Sequence, residues 1–287
     1  MRVRTLFAAV TTTVMTTLGL TAAPSEATPA IDYVALGDSY SAGSGILPLD
    51  PNAFLFCART TLNYPHLIAD AAGATSFQDV TCGGAQTKDY TTEQYAGLTP
   101  PQLDAVTEDT DLVTMTIGGN DTDLFIDLIA DCAAAGLTTL GFGSPCKNHY
   151  GDSFDTRISS TIYPAVRQAL RDVQAKAPHA TVAILGYPWI MPATGGCYWA
   201  MPIATGDVPY MRAIQAHLNA AIGQAAADAG ATYVDLGAAS NGHDACQPIG
   251  TRWVEPALFG TNFVPVHPNA LGESKMAAAT LAALGLS

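Results

Sequence analysis

Basic residues are scarce in this chain. Twelve lysines and arginines stand against 25 aspartates and glutamates in 287 residues, a formal net charge of −13. Such a surface repels polyanions, so no nucleic-acid partner is expected. Charge of either sign is sparse at 13%, but a hydrophobic content of 48% excludes a disordered chain. Beyond the start of the chain, nothing reaches the roughly 18 uncharged apolar residues of a membrane span, so no stable membrane insertion is expected. There is no Cys-x-x-Cys pair and no compact Cys/His cluster, which leaves structural zinc without a ligand set; no metal and no cofactor is expected. Internal repeats, linker-like stretches and the Gly-x-Ser-x-Gly elbow of many α/β-hydrolases are also missing.

The chain begins with the marks of export. Arg2 and Arg4 precede the weakly hydrophobic run LFAAVTTTVMTTLGL, and Ser25-Glu26-Ala27 offers a small-x-small cleavage pattern. Residues 1–27 read as a signal peptide cut after Ala27, with Ala23 as the other candidate cut. A membrane anchor fits less well, because the run is short and broken by threonines. Residues 28–287 then form a single domain, large enough to bury a sizeable core. Cleavage removes two arginines and one glutamate, leaving 10 basic and 24 acidic residues and a net charge of −14. An exported, extracellular protein favours disulfides among Cys57, Cys82, Cys132, Cys146, Cys197 and Cys246. About 15 complete pairings are possible. The simplest is successive, Cys57–Cys82, Cys132–Cys146 and Cys197–Cys246, each bridge clipping one excursion outside the core elements.

Short apolar runs at Tyr33–Leu36, Phe77–Val80, Leu112–Thr116, Thr181–Leu185 and Thr232–Leu236 read as buried strands. Helical periodicity is clearest over Ser159–Lys176, Pro209–Ala229 and Leu271–Leu284. This alternation predicts an α/β fold: a three-layer αβα sandwich around a parallel sheet of about five strands. Ligand groups gather beyond the carboxyl ends of strands in such a sheet. Ser39 follows the first strand, Gly83-Gly84 the second and Gly118-Gly119-Asn120-Asp121 the third, while His267 precedes the last helix.

Each of these residues has a plain reading and a chemical one. Ser39, in ALGDSYSAG, is placed at a helix start, where Asp38 or Ser39 also suits an ordinary cap. A serine hydroxyl becomes a useful nucleophile only beside an imidazole that takes its proton. Asn120 either caps the helix after it or donates its amide to an oxyanion. Gly84 in TCGGAQT is a common turn glycine that can also offer an unobstructed N–H. Among the histidines, His267 in NFVPVHPNALG has the most suggestive setting, fixed between Pro268 and a helix start. His243 is its main rival, while His66, His149, His179 and His217 have less suggestive settings.

In order along the chain, GDS, Gly84, GGND and HPN resemble the four sequence blocks of the SGNH hydrolases, also called GDSL-type lipases and esterases. The likeness spans about residues 31–285 and is greatest to secreted actinomycete members. It implies the SGNH-type sandwich, Ser39 as nucleophile and His267 as base. It also implies an oxyanion hole made of the Ser39 and Gly84 amides and the Asn120 side chain. Many members carry an aspartate three residues before the histidine; here that residue is Val264, and no acid lies between Glu255 and His267. The expected replacement is the Val264 backbone carbonyl, with Pro265 second and a distant Asp235 or Asp244 as the carboxylate alternative.

The function implied is extracellular hydrolysis of lipid or other small esters by a monomeric lipase or carboxylesterase. Phospholipase, carbohydrate-ester and plant-polymer esterase activity are neighbouring readings, and an exported binding module with a hydrolase-like fold is the non-enzyme one. Trp189, Ile190 and Met191, with Phe263 and Val266, are the candidates for an acyl groove, or else for ordinary loop packing.

Overall fold

The computed structural model describes residues 30–286 and the isolated positions 1, 8 and 9; the expected leader, as a segment, and its cleavage point lie outside the described residues. Five strands form one parallel sheet: β1 (Asp32–Ala35), β2 (Ser76–Asp79), β3 (Leu112–Met115), β4 (Thr181–Leu185) and β5 (Thr232–Val234). Their order is β2-β1-β3-β4-β5, with Val34 of β1 opposite Gln78 on one side and Val113 on the other. The inner strand β3 is buried throughout, as expected where helices cover both faces of a sheet. The edge strand β2 is more exposed and carries Gln78 and Asp79. β5 stops short of the expected Leu236, because Asp235 accepts from the Gly237 amide at 2.7 Å and starts a helical turn there.

Six helices position the site or cover the sheet: α1 (Ser39–Ala42), α2 (Tyr64–Ala72), α3 (Leu124–Thr138), α4 (Tyr163–Lys176), α5 (Val208–Ala229) and α6 (Ala270–Leu284). Their ends follow local chemistry. Asn63 and Asn269 cap α2 and α6 through their side chains, and Gly73, Gly230 and Gly285 close α2, α5 and α6 in the left-handed conformation. The chain steps from β1 outward to β2, then returns past β1 to β3, β4 and β5. Right-handed crossovers in opposite directions place their helices on opposite faces. Accordingly α2 packs with α6, and α4 packs with α5. The reversal falls between β1 and β3, and a crevice opens at such a point beyond the strand ends.

Disulfides join Cys57 to Cys82, Cys132 to Cys146 and Cys197 to Cys246. They fasten the loops and helices around the sheet, α3 through Cys132 among them, rather than the sheet itself. The turn after β1 is held differently. Gly37 has φ +123°, and a Cβ there would sit 2.5 Å from the Thr116 carbonyl oxygen. Gln102 brackets this glycine, accepting from its amide at 2.7 Å and donating to its carbonyl at 3.0 Å. Asp38 then donates its amide to the Thr116 carbonyl at 2.9 Å, tying the ends of β1 and β3 together. Replacing Gly37 with alanine meets both backbone strain and backbone overlap. Gly37→Ala is therefore expected to cost about 3 kcal/mol or more in urea unfolding; a loss under about 1 kcal/mol contradicts this account.

Candidate active site

Ser39 is the first residue of α1. Asp38 caps that short helix, its Oδ1 accepting from the Tyr40 amide at 3.0 Å. The capping reading of Asp38 and the nucleophile reading of Ser39 are thus compatible. Across the crevice, Nε2 of His267 lies 2.7 Å from Ser39 Oγ. The imidazole Nδ1 is 2.7 Å from the Pro265 carbonyl oxygen. With Nδ1 protonated toward that carbonyl, Nε2 is the free base facing the serine.

The carbonyl at Nδ1 is therefore that of Pro265, not the expected Val264. The cause is a left-handed turn at Val266, φ +59°, which folds the preceding carbonyl back over the ring. The Val264 carbonyl instead faces Gly45, where an added Cβ would approach it to 3.1 Å. A β-branched residue in this conformation is strained and must be held by its surroundings. Val266 is buried, and the Tyr40 hydroxyl donates to its carbonyl at 2.8 Å. The Tyr40 ring also lies against the imidazole, with centroids 5.2 Å apart. Neither distant acid takes part: Asp235 caps the turn after β5, and Asp244 accepts from the Cys246 amide at 3.0 Å. His243 is occupied by the Thr251 carbonyl and stacks on Trp253.

The loop bearing His267 has its own support. Arg252 and Glu255 form a buried ion pair, and Glu255 Oε1 also accepts from Asn269 Nδ2 at 2.7 Å. The Glu255 amide donates to the His267 carbonyl at 2.9 Å. Burial pushes the Glu255 carboxyl up, but the Arg252, Asn269 and Thr261 donors outweigh that and hold it below the ordinary range. Burial also pushes His267 below its usual 6.5, with the Pro265 carbonyl opposing the shift.

Gly84, at φ +76°, turns the chain after β2 and is exposed. Gln94 steadies this turn by donating to the Gly83 carbonyl at 2.7 Å. Asn120 does not cap a helix with its side chain; its Nδ2 donates to the Ala85 carbonyl at 3.1 Å. An amide nitrogen has two hydrogens, so one remains to meet a substrate oxygen. Asp121 accepts from the Thr87 amide, so the loops after β2 and β3 are clamped together. Among the described residues, neither the Ser39 nor the Gly84 amide has a hydrogen-bond acceptor.

Several supporting residues were absent from the sequence expectations. Tyr187, just past β4, donates to Asp38 Oδ2 at 2.5 Å and accepts from the Gly119 amide at 2.8 Å. It thereby couples the first and third loops. Burial raises the Asp38 carboxyl to about 6, against the Tyr187, Thr116 and Tyr40 donors that lower it. The residues named for an acyl groove or for loop packing differ in exposure. Ile190, Met191 and Val266 are buried in the packing, and Trp189 stacks under Arg212. Phe263 remains exposed.

A second serine–histidine–carboxylate contact lies elsewhere. His217 sits 2.6 Å from Asp155 Oδ1 and 3.3 Å from Ser159 Oγ. Ser159, however, lies inside the helical run from Ser153 to Lys176, far from any free helix start. Among the described residues, the Ser159 hydroxyl has no hydrogen bond to a glycine turn or to an asparagine. A hydroxyl next to histidine is thus not what distinguishes Ser39; the convergence of three loops is.

Residues 35–275 match the GDSL-like Lipase/Acylhydrolase family. The chain belongs to that family and is a carboxylic ester hydrolase. It is similar to "Lipase 2" of Streptomyces coelicolor, at 60% identity over 94% of this chain and 92% of the relative. Among solved structures it resembles an extracellular lipase from Streptomyces rimosus, at 32% identity and TM-score 0.73, covering 88% of this chain and 100% of that one. A phospholipase A1 from Streptomyces albidoflavus is similar at 32% identity and TM-score 0.72, covering 90% and 99%.

Tyr187→Phe removes a donor from buried Asp38 and strands the Gly119 amide. It is expected to cost about 1–3 kcal/mol of stability in denaturant titration; no measurable loss would show that the coupling contributes nothing.

Proposed function

We propose that this protein is an extracellular lipase or carboxylesterase, exported with loss of residues 1–27, that cleaves fatty-acyl esters as a monomer through a Ser39 acyl-enzyme. The observation that carries this reading is the 2.7 Å approach of His267 Nε2 to Ser39 Oγ beside the Gly84 and Asn120 turns. His267 takes the serine proton as Ser39 Oγ attacks the ester carbonyl. The Ser39 and Gly84 amides and Asn120 Nδ2 stabilise the oxyanion. His267 returns the proton to the departing alcohol, then activates the water that releases the acid. The Pro265 carbonyl keeps the imidazole in the productive tautomer and stabilises the transient imidazolium by its dipole. The disulfides and the extracellular S. rimosus neighbour support export. No described helix is long and apolar enough to cross a membrane.

The similarity to a phospholipase A1 favours phospholipid esters as a second reading. Rates on dissolved short-chain esters, triglycerides, phospholipids and acetylated sugars separate these substrates. Failure on every ester sinks the proposal.

In that panel Ser39→Ala is expected to abolish turnover, whereas Ser159→Ala leaves it unchanged. Asn120→Ala should lower kcat by roughly 10²–10³-fold. An active Ser39→Ala variant, or an organophosphonate adduct at Ser159 instead of Ser39, would overturn the assignment.

The pH profile provides a further test. The base must be neutral, and burial lowers the His267 value, so it stays neutral and active to lower pH than an ordinary histidine. The acid limb of kcat/KM is expected to have its midpoint below 6.5. A midpoint above that value contradicts the buried-imidazole reading.

A further inference from the structure

Three segments carry no charged residue: GLTTLGFG (136–143), which runs from the last turn of α3 into the loop after it, and the loops GGCYWAMPIATG (195–206) and PALFGTNF (256–263). In so acidic a chain, three neutral loops in one place call for an explanation. They are also bonded to one another. The Thr205 amide donates to the Gly141 carbonyl at 3.0 Å, and the Leu258 amide donates to the Ala200 carbonyl at 2.9 Å. Met201 and Ile203 are buried, but four other large apolar side chains face solvent: Leu140 and Phe142 at 75% exposure, Trp199 at 82% and Phe259 at 83%. Leu140 and Phe259 both have left-handed backbones, φ 53° and 61°, an uncommon conformation for such residues. Scattered exposed apolar residues need no account, but a joined group of them marks an interaction surface.

The bases of the loops are fixed. Cys132–Cys146 spans the first, Cys197–Cys246 anchors the second, and an antiparallel bridge between Val254 and Pro268 closes the third. That bridge flanks His267 itself. The uncharged surface is therefore rigidly continuous with the lip of the active site. It has no charge to pair with an ionic partner. A second copy would bring another strongly acidic chain against the first, while a zwitterionic or neutral lipid surface imposes no such repulsion.

We propose that these three loops form a docking face for neutral or zwitterionic lipid surfaces, placing the His267 lip against the substrate aggregate. This rests on the lipase reading of the same site, but it concerns adsorption and not chemistry.

The test uses the mature chain carrying Ser39→Ala, so that lipid is not consumed, with and without Trp199→Ser/Phe259→Ser. Co-sedimentation with phosphatidylcholine vesicles is expected to fall at least tenfold in the double variant. Phosphatidylglycerol vesicles should bind the parent more weakly than phosphatidylcholine. With Ser39 intact, both proteins should hydrolyse dissolved p-nitrophenyl acetate within twofold of each other, while the double variant loses at least fivefold on emulsified tricaprylin. Equal vesicle binding overturns the proposal, as does a parent dimer in sedimentation equilibrium that the double substitution breaks. A proportionate loss on the dissolved ester also overturns it, because the residues would then serve the site or the fold. If the intact chain fails on dissolved ester altogether, the hydrolase reading falls, while vesicle binding still judges the docking face independently.

Discussion

The contact between Ser39 and His267 joins residues 228 positions apart, and most of the unusual local geometry serves to make that distance 2.7 Å. On one side, Gly37 and Gln102 press the end of β1 against β3 and fix where α1 begins. On the other, the Arg252–Glu255 pair and Asn269 hold the loop that delivers the imidazole. Tyr40 spans the gap, since it belongs to the serine's helix and bonds the carbonyl just before the histidine. Because α1 is only one turn long, its position is set by these side chains and not by its own length.

The site is unusual in where its charge lies. The carboxylate nearest the serine in sequence, Asp38, faces away from the imidazole and is satisfied by Tyr187, Thr116 and the Tyr40 amide. It organises the loops. The imidazole is left half-buried against a carbonyl dipole, with no carboxylate hydrogen-bonded to it among the described residues. A full charge would stabilise the imidazolium more strongly. In exchange, the resting histidine is held neutral at lower pH.

The sheet was legible in the sequence because its strands are continuous apolar runs such as TVAIL, and a parallel sheet buried on both faces needs such runs. The loops carrying GDS, GGND and HPN were each ambiguous alone and became legible as an ordered set through their resemblance to the SGNH blocks. The choice of Pro265 over Val264 was not. It depends on Val266 taking a left-handed backbone, which a β-branched residue disfavours locally and accepts only because Tyr40 and the packing hold it. Tyr187 was hidden for a related reason: its partners, Asp38 and Gly119, are distant in sequence and meet only once the sheet is assembled. Trp189, Ile190 and Met191 suited either a substrate wall or ordinary loop packing; Ile190 and Met191 turn into the packing, while Trp189 lies half-buried under Arg212.

The Pro265 carbonyl has a genetic consequence. A carboxylate that orients a histidine can be deleted by one codon change, and its loss is visible in any alignment. A main-chain oxygen cannot be deleted that way, because every amino acid brings one. Residue 265 can vary in identity while the acceptor stays, so drift at that position is silent toward the imidazole as long as the bend at Val266 survives. Sensitivity is moved onto the residues that enforce the bend, Tyr40 among them. Variation in this lineage should therefore be tolerated at the atom that touches the histidine and resisted one layer behind it.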